Sequence, residues 1–180
     1  MKFCSNCGHE VVLAIPPGDN LPRFVCEACG TVHYQNPRMV VGCLAEWQGR
    51  ILLCKRAIDP RKGYWTLPAG FMENNETTDQ AAARETAEEA LAEAVDLEPF
   101  ALVNVPHMSQ VHLMFRSRLK DGKHAPGTES LETRLSEEQD IPWDEIAFAS
   151  VRYTLERYLE DRRSGNFNFH ITTWDKPLQH

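Results

Sequence analysis

Two runs, MVVGCLAEW at 39–47 and RILLCKR at 50–56, are apolar and rich in β-branched residues, and only Gln48-Gly49 separates them. That pattern predicts a β-hairpin with a two-residue turn. YWTLPAG (64–70) reads as a short strand that stops at Pro68-Ala69-Gly70, and FALVNVP (100–106) and QVHLMFRSRL (110–119) read as further strands. KDGKHAPGTES (120–130) has the composition of a surface loop, and SLETRLSEEQD (130–140) that of a strand entering an acidic loop. Two stretches have helical character instead. Thr77 followed three residues on by Gln80 forms a capping box, after which alanine and glutamate carry helical propensity to about Ala94. From about Phe148 to Arg163, the residues Val151, Leu155, Tyr158 and Leu159 fall on one helical face. Strands, a polar helix, more strands and a packing helix predict an α/β chain in α/β/α layers around a mixed sheet. The tail from Ser164 has weak periodicity, and no repeats occur.

The first 33 residues follow another pattern. Cys4-x-x-Cys7 and Cys26-x-x-Cys29 lie 18 residues apart, and each pair is followed by glycine. Four thiolates in two such knuckles suit a tetrahedral structural zinc ion, and a segment this short needs that ion to fold. The expected organisation is a zinc ribbon at 1–33, with strands near Val11–Ile15 and Arg23–Val25 joined at PPGDN, and a larger domain at 34–180. Cys43 and Cys54 sit in apolar runs and are expected as buried small hydrophobes.

Charge narrows the partners. The net charge of −7 disfavours contact with a nucleic-acid backbone, and the ribbon sets Lys2 and Arg23 against Glu10, Asp19 and Glu27. No apolar run reaches signal-peptide or membrane-spanning length, so a cytoplasmic protein without membrane association is expected. The zinc-stapled ribbon is also a candidate contact for a homodimer.

The helix after Thr77 carries the chemistry. At 100° per residue, Glu85, Glu88 and Glu89 share an arc of about 100°. A Glu-rich helix is commonly a solvated face, with Arg84 and Glu88 a simple i,i+4 pair. Here, however, it is introduced by a strand ending in LPAG and by Glu76, six residues after Gly70. The full pattern G-x5-E-x7-R-E-x-x-E-E, on Gly70, Glu76, Arg84, Glu85, Glu88 and Glu89, resembles the signature of the Nudix hydrolases. With the ribbon, YQNPRMVVGCL, PGTESLETRL and IPWDEIAF, the chain is similar to the zinc-ribbon Nudix subgroup that includes FAD and ADP-ribose pyrophosphatases.

The resemblance implies a Nudix α/β/α sandwich that hydrolyses a nucleoside diphosphate linked to a group X. It implies Mg²⁺ or Mn²⁺ on Glu85 and Glu89, assisted by Glu88 and by the Ala69 carbonyl, with Arg84 and Glu76 orienting the carboxylates. Hard divalent cations held by carboxylates suit such chemistry, because they neutralise the diphosphate and acidify water. By the same resemblance a further carboxylate falls on Glu132, with Glu129 in reserve. Arg56 at a strand end is a candidate phosphate ligand, and Phe71 or Trp65 a candidate surface for stacking. His107, His112 and His124 show no ligand spacing.

Among substrates, NADH pyrophosphatases carry an SQPWPFPxS array where this chain has VNVPHMSQVHLMF, which favours ADP-ribose or FAD, cleaved to AMP plus ribose 5-phosphate or FMN. NADH pyrophosphatase is the alternative, and a nucleotide-binding sensor without catalysis the alternative of another class. The family pattern also expects glycine where Leu91 stands. Leucine there predicts that the helix runs on for another turn.

Overall fold

The computed structural model describes residues 1–175, which part into two compact units between Pro37 and Arg38. The first unit is held by very little apolar burial: only Cys4, Pro16 and Cys26 are buried in it. Its strands β1 (Val12–Ala14), β2 (Arg23–Val25) and β3 (Val32–His33) form a small antiparallel sheet in that order. β3 was not expected from the sequence. Each knuckle turns tightly, with the Gly8 N–H donating to the Cys4 carbonyl at 3.0 Å and the Gly30 N–H to that of Cys26 at 2.8 Å. The boundary falls four residues beyond the expected one, and Tyr34 belongs to this unit because the Arg23 guanidinium lies 5.0 Å over its ring.

The second unit is built on one mixed sheet. Its strands are β4 (Arg38–Trp47), β5 (Arg50–Arg56), β6 (Trp65–Thr66), β7 (Ala69–Phe71), β8 (Ala94–Val105), β9 (Gln110–Leu119), β10 (Ser130–Ser136) and β11 (His170–Thr173). The main order is β10-β5-β4-β9-β8-β11, with β6 on β5 and β7 on β4. The β4–β5 hairpin is the expected one, and its turn residues Gln48 and Gly49 both have positive φ, as a two-residue turn requires. β9 pairs parallel with β4 and β11 parallel with β8, which makes the sheet mixed.

The α/β/α layering follows from strand alternation. Val41, Cys43, Leu52 and Cys54 face helix α1 (Thr78–Ala90), and Leu44, Ile51, Leu53 and Met114 face helix α2 (Ala149–Ser164). Cys43 and Cys54 are buried as expected. On the α2 side, the His112 ring lies between Ser150 Oγ at 2.8 Å and Gln110 Oε1 at 2.9 Å, and burial pushes its pKa down to about 4. His112 is therefore a neutral structural tie between β9 and α2. No helix among the described residues is long and apolar enough to cross a membrane.

In the second unit the sequence expectation also fails, besides the earlier start of β8 at Ala94, at three places. The segment expected to end at Pro68-Ala69-Gly70 continues as β7, because Ala69–Phe71 pairs with Gly42–Val40 of β4. The weakly periodic tail contains β11, which adds to the sheet edge at Ala101–Asn104. Helix α1 begins at its capping box on Thr77, as expected, but ends at Ala90 instead of running on to about Ala94.

Leu91 ends that helix in the left-handed conformation, φ 46° and ψ 37°, with its N–H on the Ala87 carbonyl at 3.1 Å. The last carbonyls are capped from far along the chain. The Ala125 N–H donates to the Ala90 carbonyl at 2.8 Å and the Gly127 N–H to the Glu89 carbonyl at 3.0 Å. A Cβ on Gly127 would lie 1.7 Å from the Glu88 carbonyl oxygen, so only glycine lets the loop approach. The leucine thus occupies a glycine conformation with its side chain 60% exposed, and the strain costs roughly 1–2 kcal/mol. Leu91→Gly is expected to stabilise the protein by about 0.5–1 kcal/mol after the added freedom of the unfolded glycine is offset, raising Tm by roughly 1–4 °C. Thermal melting checks this; a lower Tm would show that the leucine side chain contributes packing there.

Candidate active site and cysteine centre

The carboxylates on α1 are set by contact with the backbone of β7. Glu85 and Glu89 are 9% and 7% exposed, one turn apart on the face turned toward the sheet. The Ala69 N–H donates to Glu89 Oε2 at 3.1 Å. A Cβ on Gly70 would lie 2.4 Å from the Glu85 carboxyl atoms, so the absence of a side chain at 70 is what admits that carboxylate. The motif glycine is therefore a steric requirement of the site.

Arg84 ties the other acids together. Its Nη2 contacts Glu76 Oε1 at 2.8 Å and the Phe71 carbonyl at 3.1 Å, its Nε contacts Glu76 Oε2 at 3.0 Å, and its Nη1 bridges Glu85 Oε1 at 2.8 Å and Glu88 Oε2 at 3.0 Å. This arginine holds the Glu76 carboxyl down to about 2. With all its donors engaged, Arg84 orients the carboxylates. Glu88 is 59% exposed at its side chain and leans outward.

Electrostatics separates the two buried acids from the rest. Burial pushes the Glu89 carboxyl up to about 7; its bond to Ala69 opposes this, Glu85 and Glu129 add to it, and Arg56 counters. Burial also raises Glu85, against Arg84. Two buried carboxylates one turn apart, under the field of a third, form a donor set that suits a hard divalent cation. A divalent cation would find its oxygen donors in Glu85 and Glu89.

The structure gathers most of the expected residues but divides the pair outside the helix. On β10, Thr133 opposes Cys54 and Leu135 opposes Leu52, so both face α1. Glu132 opposes Lys55 and turns to the other side, with Arg134, whose guanidinium lies 4.5 Å over Trp65. Glu129 is the acid whose charge bears on both Glu85 and Glu89, and the Ala57 N–H fixes its backbone at 2.8 Å. Arg56 stands near Glu89 with its guanidinium 5.0 Å over Phe148 and Nε on the Pro60 carbonyl at 2.9 Å. Trp65 is 4% exposed and belongs to the core. Phe71 is 45% exposed, but one ring face carries Arg38 at 4.7 Å. Nothing in the spacing of QNPRM marks Arg38, because its partner is 33 residues away.

The four cysteines form the other centre. All four Sγ atoms lie within 4.8 Å of one another, Cys4 and Cys29 at 3.7 Å and Cys7 and Cys26 at 3.4 Å. A tetrahedron with Zn–S of about 2.3 Å has edges of about 3.8 Å, so the spacing fits Zn²⁺. The Asn6 N–H at 3.4 Å and His33 Nε2 at 3.3 Å lie against Cys4 Sγ, as donors to a metal-bound thiolate do.

Comparison with known proteins agrees with both units. The family profile described as Nudix N-terminal, a zinc ribbon, matches residues 2–35, and the one described as NUDIX domain matches residues 36–162. A crystal structure of a NUDIX hydrolase from Nitrosomonas europaea is 55% identical, with TM-score 0.94, over 98% of this chain and 100% of that one. A protein of Stutzerimonas stutzeri named NAD-capped RNA hydrolase NudC is 29% identical over 89% of this chain and 57% of its own length. An ADP-ribose pyrophosphatase of Methanocaldococcus jannaschii is 43% identical over 31% of this chain and 33% of its own. The chain spans about half the length, or less, of the curated relatives it matches.

Proposed function

Because this chain belongs to the Nudix hydrolase family, we propose that it is a metal-dependent pyrophosphohydrolase acting on a nucleoside diphosphate linked to X, with ADP-ribose and FAD the favoured substrates. The observation that carries the reading is the buried Glu85–Glu89 pair, against which Gly70 and the Ala69 N–H close. Loss of helix carboxylates would favour a non-catalytic sensor, and Glu85, Glu88 and Glu89 are all present.

In the proposed reaction water adds to one phosphorus, the bridging P–O bond breaks, and ADP-ribose leaves as AMP and ribose 5-phosphate. The bound cation supplies charge neutralisation and an acidified water. Glu85 and Glu89 hold it, Arg84 with Glu76 keeps Glu85 and Glu88 in position, and Glu129 in place of Glu132 supplies the acid from outside the helix. Arg56, whose charge acts on Glu89, supplies positive charge for phosphate. Zn²⁺ on Cys4, Cys7, Cys26 and Cys29 is structural.

NADH is the second reading; the similarity over 89% of this chain to a protein named NAD-capped RNA hydrolase NudC keeps NAD-type substrates in view. The absence of the SQPWPFPxS array speaks for ADP-ribose and FAD instead. The test is a panel of ADP-ribose, FAD, NADH and an NAD-capped RNA, each with Mg²⁺ or Mn²⁺, following AMP or 5′-monophosphate release. Fastest turnover is expected on ADP-ribose or FAD; preference for NADH would replace that reading, and no release from any would remove it. In the same assay Glu129→Gln is expected to lower kcat by about 100-fold and Glu132→Gln by only a few-fold. The reverse order would return the role to Glu132.

A further inference from the structure

The loop from Asp121 to Glu129 crosses the C-terminal end of α1 in direct backbone contact. The Gly127 N–H donates to the Glu89 carbonyl at 3.0 Å and the Ala125 N–H to the Ala90 carbonyl at 2.8 Å, while the Glu88 carbonyl oxygen occupies the place of a Cβ on Gly127. Gly127 does not have a positive φ, so the position requires the absence of a side chain and not the backbone freedom of glycine. The helix beneath it is fixed: Ala81, Ala82 and Ala90 are fully buried against the sheet, and the Ala69 N–H holds the Glu89 carboxylate. Ala125, Pro126, Thr128 and Glu129 are exposed, so a side chain at 127 would displace the loop instead, by about an ångström or more.

Two residues beyond this contact stands Glu129. The residue is exposed, and the contacts that place it are those of the backbone. The Ser130 N–H closes on the Gly127 carbonyl at 3.1 Å, the Ala57 N–H on the Glu129 carbonyl at 2.8 Å, and Ser130 pairs with Arg56. Two residues of chain span at most about 7 Å, which keeps Glu129 near the Glu89 end of the helix. Its charge acts on both Glu85 and Glu89. The acid is therefore slung between two backbone anchors, α1 at Gly127 and the end of β5 at Ala57.

We propose that Gly127 is a positioning residue: seated on the backbone of Glu88 and Glu89, it sets where Glu129 stands against the buried carboxylate pair. The inference rests on the reading of Glu129 as the acid from outside the helix, and a double-mutant cycle separates the two. Gly127→Ala is expected to lower kcat on the preferred substrate about 10- to 100-fold with KM within about threefold, as a misplacement of roughly an ångström does. In a Glu129→Gln background the same substitution should change kcat by no more than about threefold, because the acid it positions is already gone. Equilibrium Mn²⁺ binding to the zinc-loaded protein is a readout apart from turnover: Gly127→Ala and Glu129→Gln should each weaken it about three- to tenfold, and the double variant no further. A glycine inserted between Gly127 and Thr128 keeps the seat on α1 and moves the acid. Exposed loops accept such insertions, so it should reproduce the loss with Tm nearly unchanged, and it carries the test if Gly127→Ala does not fold.

If the losses from Gly127→Ala and Glu129→Gln multiply in the double variant, or if Gly127→Ala and the insertion both stay within about twofold of wild type, the inference is overturned while Glu129 keeps its role. If Glu129→Gln itself stays within a few-fold of wild type in kcat and in Mn²⁺ affinity, the reading of Glu129 falls and the inference with it. Should wild type cleave none of the panel, the Mn²⁺ cycle decides. A silent Gly127→Ala in the Glu129→Gln background then sustains the positioning role, and an additive one overturns it.

Discussion

Glu89→Gln is expected to lower kcat on the preferred substrate by about 10³-fold, or ~4 kcal/mol of barrier, while leaving the metal-free protein no less stable than wild type. The side chain is isosteric, stays within reach of the Ala69 N–H, and removes a charge that burial disfavours. The stability readout follows from the titration. In the folded, metal-free protein the carboxyl titrates at about 7, against 4.5 when unperturbed. An acid whose folded pKa is raised keeps its proton in the folded state, so its contribution is full below about 4.5 and is lost as pH rises through about 7. The loss is on the order of 3 kcal/mol. In chelator, the melting temperature of Glu89→Gln should therefore gain on wild type between pH 5 and pH 8, and a divalent cation should raise wild type more than the variant. Equal melting at every pH would show that Glu89 is not a strained buried acid. A rate within about tenfold of wild type would take it out of the metal site.

Removal of zinc is expected to unfold the first unit without melting the second. With only Cys4, Pro16 and Cys26 buried, residues 1–37 have no apolar core to oppose chain entropy, whereas four thiolates on Zn²⁺ contribute roughly 10–16 kcal/mol. The second unit has its own core on both faces of its sheet, from Leu44, Leu53, Phe100 and Leu155 on one side to Val41, Leu52 and Phe115 on the other. In the full chain, Cys26→Ser or a strong zinc chelator should abolish amide-exchange protection in β1 to β3 and leave that of β4, β5 and β9 in place. Loss of protection in both units together would show that the ribbon is an integral part of one cooperative structure.

Much of the site was legible because its rules are local. A capping box needs two residues three apart, helical spacing places Glu85, Glu88 and Glu89 on one face, and a zinc knuckle is four residues long. The boundaries of β9 and the turn of the β4–β5 hairpin were readable for the same reason. One local rule misled. Propensity carried α1 past Leu91, but Ala125 and Gly127 cap it there, and Ala92 is needed in the core at the approach to β8. Counting along ESLETR puts the outside acid on Glu132, and the register leads us to propose Glu129 in its place. A one-residue bulge, however, leaves Leu131 without a partner between Ser130 opposite Arg56 and Glu132 opposite Lys55. One extra residue reverses which side chains face α1, and a bulge carries no mark in composition.

The sequence alone therefore determined the cysteine centre, the carboxylate helix and the family, each from residues close enough to obey backbone periodicity. Tertiary structure decided where the helix stops, that β11 completes the sheet edge, and that Gly70 makes room for Glu85. Those outcomes depend on contacts between segments tens of residues apart, whose register is set by packing and by bulges and not by the order of neighbouring residues.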